Sequence, residues 1–215
     1  MSLTAVVLGA TGLVGSELVR LLLASDEYAR VVTVTRRPLN VKSEKLESCV
    51  VDFECLDDLA DHVRGDVLFS CLGTTKKQAG SIAAQRVVDH DCQLQVARFA
   101  AANDVPHYCL VSSSGANPAS ASAYLKMKGE LEQAVKQLGF KRISLFQPSL
   151  LLGEREHMRI GESLAAMILP LLCRLPMLQS YRPIEGREVA EKMLQISKTP
   201  GDGVAVFNLQ EVFPD

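Results

Sequence analysis

A tyrosine and a lysine stand four residues apart in the second half of the chain. Tyr124 is the only tyrosine of the sequence that has a lysine, Lys128, at this spacing. On a helix the two side chains share one face, and a neighbouring ammonium group lowers the pKa of a tyrosine from its usual ~10. The pair therefore predicts an acid–base group that exchanges a proton with a substrate. The alternative is a helix start capped by Ser120 or Ser122, with Tyr124 facing solvent.

Three serines, Ser112, Ser113 and Ser114, precede this pair and follow an apolar run that predicts a strand. Hydroxyls at the carboxyl end of a parallel strand reach the crevice in which α/β proteins bind their ligands. We expect a hydroxyl of this group to bond a substrate oxygen. The sequence leaves open which of the three hydroxyls does so.

Glycines near the N-terminus form a G-x-x-G-x-x-G run between the first predicted strand and the first predicted helix. Such a turn lets backbone N–H groups approach a diphosphate closely, and the free amides of the following helix carry partial positive charge. A turn that only packs the helix against the strand is the alternative. The residues predicted to bind the cofactor here are Gly9, Thr11, Gly12, Leu13, Val14 and Gly15.

The second predicted strand ends in two arginines, Arg36 and Arg37, where many dinucleotide sites carry an acid for the ribose 2′-hydroxyl. Guanidinium groups bind a 2′-phosphate through paired, charge-assisted hydrogen bonds. We therefore predict a preference for NADP(H), with NAD(H) as the second cofactor. A solvated pair of arginines at a strand end is the alternative.

The elements that must position these residues alternate between strand and helix, which predicts an α/β fold with a doubly wound parallel sheet of the Rossmann type. Helices are expected on both faces, and the whole chain, 1–215, is expected to form a single domain in which 149–215 contributes the substrate side. The predicted strands are Leu3–Leu8, Arg30–Thr35, Ser48–Asp52, Asp66–Cys71, Tyr108–Ser112, Arg142–Phe146 and Val204–Asn208, and the predicted helices are Leu13–Leu23, Leu56–Val63, Gln78–Asn103, Ala123–Leu138, Gly161–Leu172 and Arg187–Ser197.

Composition excludes several classes of protein. The formal net charge is −2, with 23 basic and 25 acidic residues and no long basic run, so a nucleic-acid partner is not expected and a small-molecule substrate is. The four histidines and six cysteines have no metal-ligand spacing, and the scattered cysteines are interpreted as reduced thiols of a cytoplasmic protein. The apolar stretch Leu164–Cys173 is too short to span a membrane. It predicts core packing, an apolar substrate pocket or a subunit contact. A homodimer is therefore one of the alternatives.

Taken together, these motifs resemble the short-chain dehydrogenase/reductase superfamily. The glycine turn is similar to that of its extended and atypical branches, and the serines with Tyr124 and Lys128 resemble its catalytic group. Within the superfamily the chain looks most like the atypical Tat-interacting oxidoreductase-like proteins. The residues that carry this closer resemblance are Gly9–Gly15, Ser112–Ser113, Lys128–Glu130 and Gln147–Pro148.

The resemblance implies a seven-stranded sheet that binds NADP(H). It implies Tyr124 as general acid or base, Lys128 as the residue that holds the nicotinamide ribose and lowers the pKa of the tyrosine, and Ser113 as the residue that orients a substrate carbonyl. It further implies that Asp52 and Phe53 lie against the adenine, that Cys71, Leu72 and Gly73 lie beside the adenine ribose, and that Pro148 lies near the nicotinamide.

Two departures from the family pattern lead to a second hypothesis. Cys71-Leu-Gly73 replaces the Asn-Ala-Gly of many relatives, and only some 67 residues follow Pro148, fewer than extended members carry. The first hypothesis is an NADP(H)-dependent oxidoreductase that acts on a small carbonyl or alcohol. The second is a non-catalytic NADP(H)-binding sensor or scaffold, and epimerisation or dehydration at the same site is a weaker third.

Overall fold

The computed structural model describes residues 2–53, 56–152 and 182–214. Seven parallel strands form one sheet in the order β3-β2-β1-β4-β5-β6-β9, and two short strands, β7 and β8, form a separate parallel pair. The strands are β1 (Leu3–Leu8), β2 (Tyr28–Thr35), β3 (Leu46–Val50), β4 (Val67–Ser70), β5 (His107–Val111), β6 (Arg142–Gln147), β7 (Leu151–Leu152), β8 (Ile184–Glu185) and β9 (Gly203–Asn208).

Helices connect the strands and cover both faces of the sheet, so the predicted doubly wound Rossmann fold is confirmed. The described helices are α1 (Leu13–Ala24), α2 (Lys76–Ala79), α3 (Ile82–Arg86), α4 (Gln93–Ala102), α5 (Ala123–Val135) and α6 (Gly186–Lys198). A π-helical turn, Val87–Cys92, joins α3 to α4, and 3-10 turns cover Asp57–His62 and Leu209–Val212.

The core has two halves, one on each face of the sheet. Apolar residues of α1 and α6 pack on one face, and those of α4 and α5 pack on the other. Neighbouring strand residues alternate between the halves, as Val7 belongs to the first and Val6 to the second. Burial on both faces explains why the central strands are nearly continuous apolar runs.

The functional edge of the sheet follows from the strand order. β1 pairs with β2 on one side and with β4 on the other, with Leu8 in register with Val34 and Ser70. Because all seven strands are parallel, their carboxyl ends share one edge. The chain winds in opposite directions on the two sides of β1, and a crevice opens at such a point in doubly wound sheets.

The single long helix predicted over Gln78–Asn103 is wrong, because the chain breaks after α2. Gly80 ends α2 with a φ of 88°, and the Ser81 hydroxyl accepts a hydrogen bond of 3.0 Å from the N–H of Ala84 to start α3. Glycine tolerates this left-handed backbone and serine is a favoured N-cap. The predicted helix Leu56–Val63 is the 3-10 turn Asp57–His62.

The β7–β8 pair was not predicted. Ile184 donates a backbone hydrogen bond of 3.0 Å to Leu150, and the Ser149 hydroxyl donates one of 2.5 Å to the carbonyl of Arg182. These bonds hold the chain before residue 153 against the chain after residue 181. The chain then forms α6 and β9, so part of the predicted substrate side, 149–215, also completes the Rossmann layer. The predicted helix Gly161–Leu172 lies outside the described residues.

Candidate functional site

The glycine turn after β1 is closed by contacts that only glycine permits. Gly9 has a φ of 83°, and a Cβ atom there would lie 2.6 Å from the backbone nitrogen of Leu72. A Cβ atom on Gly15, in the first turn of α1, would collide with the carbonyl of Gly9. The N–H of Gly12 donates a hydrogen bond of 3.0 Å to that carbonyl. The turn is therefore a bare backbone cradle at the start of a helix.

The N-terminus of α1 is open to an anion. Its N-cap, Gly12, offers no side-chain hydrogen bond, and the first turn of α1 has no acidic residue. The start of α6 differs, because Glu185 and Glu188 form a capping box there. Unsatisfied N–H groups and the helix dipole bind phosphate oxygens. Thr11, Gly12, Leu13 and Val14 thus fit the diphosphate of a dinucleotide.

The loop after β4 lies against this turn and is fixed from the other side by a buried acid. Asp89 is fully buried, and its carboxylate accepts hydrogen bonds from the N–H of Thr74 at 2.6 Å and from the side-chain amide of Gln85 at 3.1 Å. Gln85 also donates to the carbonyl of Thr74 at 3.0 Å. The loop carries Cys71, Leu72 and Gly73, the residues expected beside the adenine ribose.

The arginines predicted to select NADP(H) follow β2, where both are exposed. Arg36 lies over the ring of Phe53, with its central guanidinium carbon 5.7 Å from the ring centroid. The Thr35 hydroxyl donates a hydrogen bond of 2.7 Å to the carbonyl of Arg37 and shapes the turn. Asp52 is exposed beside Phe53, just beyond β3. A cation and an aromatic face therefore meet where the adenosine end of a dinucleotide is expected.

The predicted acid–base pair lies on α5, whose first turn is capped by Ser122. Tyr124 is 36 % exposed and Lys128 is 3 % exposed. The Lys128 ammonium donates a hydrogen bond of 3.2 Å to the carbonyl of Val111, the last residue of β5. This bond fixes the helix against the carboxyl edge of the sheet, and Tyr124 stands one turn further out.

The three serines have different surroundings. Ser112 is buried, and its hydroxyl donates a short hydrogen bond to the carboxylate of Glu132 on α5. Ser113 is partly exposed, and its hydroxyl makes only a long contact of 3.4 Å with the carbonyl of Ser114. The N–H of Ser114 donates to the carbonyl of Pro148 at 2.9 Å. Ser112 is therefore occupied, while among the described residues the hydroxyls of Ser113 and Ser114 have no hydrogen-bond partner closer than 3.4 Å.

The loop between the serines and α5 folds back onto the helix. Asn117 donates a backbone hydrogen bond of 3.0 Å to Leu125. Gly129 faces the backbone of Asn117 and Pro118 so closely that a Cβ atom would collide with it. This packing brings the serine end of the loop and the Tyr124 end of α5 to the same side of the sheet.

Cys71, which stands where many relatives have asparagine, is not an acid–base group. Burial raises the pKa of its thiol to about 12, and the nearby Lys128 ammonium only partly opposes the rise. The protonated thiol is therefore the favoured form near neutral pH.

The predicted site residues thus lie along one edge of the sheet, at the ends of β1 to β6, on the first turn of α1 and on the first two turns of α5. The sequence did not predict that Gln85, Asp89 and Glu132 hold this edge from behind, and Gln147, which does so too, was singled out only for the family resemblance. Glu132 had a visible signal, because it continues the four-residue spacing of Tyr124 and Lys128.

The apolar stretch Leu164–Cys173 lies outside the described residues. Within the described part of the chain, no helix is long and apolar enough to cross a membrane.

A family model described as NAD(P)H-binding matches residues 9–162. The chain is 41 % identical over 163 residues to Protein HTATIP2 of Rattus norvegicus, which covers 74 % of this chain and 67 % of that protein. It is 38 % identical over 181 residues to Protein FMP52, mitochondrial, of Coccidioides immitis (strain RS), which covers 78 % of this chain and 73 % of that protein.

Solved structures share the fold. MoeE5 in complex with UDP-glucuronic acid and NAD superposes with a TM-score of 0.73 at 18 % identity, over 96 % of this chain and 76 % of that one. A short chain dehydrogenase family protein from Francisella tularensis subsp. tularensis SCHU S4 superposes with a TM-score of 0.68 at 15 % identity, over 96 % of this chain and 97 % of that one. At these identities the likeness concerns the fold.

The cytoplasmic prediction is wrong as it stands. Relatives from Coccidioides immitis, Candida glabrata and Saccharomyces cerevisiae are all named mitochondrial, which conflicts with a purely cytoplasmic assignment. Unpaired cysteines indicate only a reducing environment, and this property does not separate one reducing compartment from another.

The glycine cradle, the open helix start and the matched family model agree with one another. The chain therefore belongs to the NAD(P)H-binding family, as an atypical short-chain dehydrogenase/reductase-like protein related to HTATIP2 and FMP52.

Proposed function

We propose that the chain is an NADP(H)-dependent oxidoreductase that acts on a small carbonyl or alcohol. The observation that carries this proposal is the packing of α5 against the end of β5. Lys128 is buried and bonded to the end of β5, and Tyr124 stands one turn away, partly open, at the sheet edge that carries the glycine cradle. A phenol beside an ammonium group at a dinucleotide site is suited to proton exchange during carbonyl reduction.

Each residue has its own role in the proposed reaction. When bound, NADPH would supply the hydride that reduces a carbonyl to an alcohol, and NADP⁺ would accept it in the reverse direction. Tyr124 gives its hydroxyl proton to the substrate oxygen, and Lys128 stabilises the phenolate that remains. Ser113 donates a hydrogen bond to the same oxygen, because within the described part of the chain its hydroxyl has only a long contact, whereas that of Ser112 is bonded to Glu132.

The preference for NADP(H) rests on the end of β2. Arg36 and Arg37 are exposed there, and the stacking of Arg36 on Phe53 gives the guanidinium group a defined position. In this proposal Asp52 and Phe53 border the adenine, the loop of Cys71, Leu72 and Gly73 borders its ribose, and Pro148 borders the nicotinamide. The turn from Gly9 to Gly15 holds the diphosphate.

The test is the substitution Tyr124→Phe, assayed by NADPH oxidation with a panel of aldehydes and ketones. Loss of the hydroxyl should lower turnover between about a hundredfold and ten-thousandfold. The dissociation constant for NADPH should stay within about twofold, because the ring remains and the residue lies at the surface. Unchanged turnover of an accepted substrate would rule out the proposed role of Tyr124.

A second function is favoured by Cys71. Its thiol stands where many relatives have an asparagine amide, and its raised pKa of about 12 keeps it out of proton exchange. A protein that binds NADP(H) as a sensor or scaffold needs no such exchange. A sensor should bind NADPH, turn over no member of the panel, and keep its cofactor-dependent response in Tyr124→Phe.

A further inference from the structure

Three polar residues of α5 form a stripe along one side of the helix. Tyr124, Lys128 and Glu132 follow one another at intervals of four residues, so their side chains lie on one face in successive turns. Their exposed fractions are 36 %, 3 % and 6 %. A buried ammonium and a buried carboxylate thus lie one turn apart behind a partly open phenol. Buried charges of this kind persist in proteins when each is hydrogen-bonded and offset by the other.

The Glu132 carboxylate joins α5 to two strand ends at once. One oxygen accepts the short hydrogen bond from the Ser112 hydroxyl, just beyond β5. The side-chain amide of Gln147, the last residue of β6, donates to both oxygens at 2.9 Å and 3.1 Å. Lys128 adds its own bond to the carbonyl of Val111. Both inner residues of the stripe therefore hold the helix that carries Tyr124 against the ends of β5 and β6.

This attachment decides which neighbouring residues face the crevice. The N–H of Ser112 donates a hydrogen bond of 2.7 Å to the carbonyl of Phe146. The pairing of β5 and β6 therefore continues to Ser112. Successive side chains of an extended segment point to opposite sides. Because the Ser112 side chain points to Glu132, the Ser113 side chain points the opposite way, away from the contact between Ser112 and α5. The same argument applies to Gln147 and its neighbour Pro148.

We propose that Glu132 is a positioning residue of this site, whose carboxylate holds Ser112 and Gln147 against α5 and thereby sets Ser113, Pro148 and Tyr124 in register with one another. The inference deepens the proposed oxidoreductase function and rests on it. Glu132 does not contact the substrate itself. It acts through the two strand ends that it joins.

The attachment has a measurable consequence for turnover. Tyr124 and Ser113 must reach the same substrate oxygen, so looser strand ends should lower kcat more than they raise KM. A residue that only filled space would change the stability of the protein without this separation of kcat from KM.

The experiment compares Glu132→Gln with the matched control Glu130→Gln in the full chain. Glu130 lies on the same helix and loses the same charge, but it pairs with Arg86 outside the stripe, at 2.5 Å. With NADPH and a carbonyl that the wild type accepts, Glu132→Gln should lower kcat between about tenfold and a hundredfold with little change in KM. Glu130→Gln should match the wild type in both constants.

A readout that does not need turnover separates this proposal from the proposed function. The N–H groups of Ser112 and Ser114, which bond the carbonyls of Phe146 and Pro148, should exchange their hydrogens faster in Glu132→Gln than in Glu130→Gln. If no carbonyl is ever reduced but this difference is present, the oxidoreductase proposal fails while the positioning role of Glu132 stands. If Glu132→Gln and Glu130→Gln share the same exchange rates and the same kcat, the positioning role is overturned.

A milder variant covers the case in which Glu132→Gln does not fold. Ser112→Ala removes one donor to the carboxylate and leaves Gln147 in place. It should lower kcat about three- to tenfold at unchanged KM, in line with the loss of one hydrogen bond. An unchanged kcat in a folded Ser112→Ala protein would overturn the proposal.

Discussion

Arg36 and Phe53 are in contact across the ends of β2 and β3, with the guanidinium group over the aromatic ring at 5.7 Å. The stacked guanidinium still presents its edge to solvent, where it can bind a 2′-phosphate. We therefore expect Arg36→Gln to weaken NADPH binding by about tenfold to a hundredfold, the scale of one charge-assisted hydrogen bond. NADH binding should change by less than about twofold.

Arg30→Gln is the control for this prediction. Arg30 lies on β2 itself, is exposed like Arg36 and pairs with Glu47 at 2.6 Å, away from the end of the strand. It should leave the affinities for both cofactors unchanged by calorimetry. Equal losses for NADPH and NADH in Arg36→Gln would contradict a specific role at the 2′-phosphate.

The two serines at the end of β5 should respond differently to the removal of their hydroxyls. We expect Ser113→Ala to lower kcat by about a hundredfold or more, because it removes the hydrogen bond to the developing charge on the substrate oxygen. Ser112→Ala should cost less than about tenfold, because its hydroxyl bonds Glu132 and not the substrate. Steady-state kinetics on one accepted carbonyl would decide, and the reverse order would exchange the two assignments.

A single methyl group added at Gly129 should destabilise the protein. A Cβ atom there would collide with the backbone of Asn117 and Pro118, so Gly129→Ala should lower the free energy of unfolding by about 1–3 kcal/mol. Gly139 has no atom within 4 Å of the same added group, and Gly139→Ala should stay within about 0.5 kcal/mol. Urea unfolding of both variants measures the difference. Equal stabilities would mean that the loop over α5 is not packed as described.

The stability of the fold should fall in acid in part through His107. Burial, assisted by the nearby Arg142 guanidinium, lowers the pKa of His107 from 6.5 to about 4. Because the pKa of the folded state is below that of the unfolded chain, the neutral imidazole stabilises the fold fully above pH 6.5. This contribution, about 3 kcal/mol, is lost as the pH falls toward 4.

His107→Gln removes this titration. Its free energy of unfolding should depend less on pH between 7 and 4 than that of the wild type, while the carboxylates common to both proteins cancel in the comparison. The imidazole also shares a hydrogen bond of 3.0 Å with the Ser144 hydroxyl, so the variant is expected to be less stable at neutral pH. Parallel pH profiles for the two proteins would contradict the assignment to His107.

Much of the fold could be predicted from the sequence because local patterns determine it. β1 has the predicted bounds, and the apolar runs and glycine turn predicted the doubly wound sheet. The break at Gly80 and Ser81 was missed because helical apolar spacing begins directly after it, at Ile82, and continues through α4. The roles of Asp89 and Glu132 depend on partners 15 and 20 residues away in the chain, at Thr74 and Ser112. Periodicity predicts which face of a helix a residue occupies but not the group that it meets there.

The central claim is that the turn from Gly9 to Gly15 binds a nicotinamide dinucleotide. Calorimetric titration of the folded full chain with NADPH and with NADH tests it most directly. We expect saturable heat with NADPH at a dissociation constant of roughly 1–100 μM, within the range usual for enzyme ligands, and weaker binding of NADH. Absence of heat from both nucleotides up to about millimolar concentration, in protein whose circular dichroism is that of a folded α/β domain, would contradict the account.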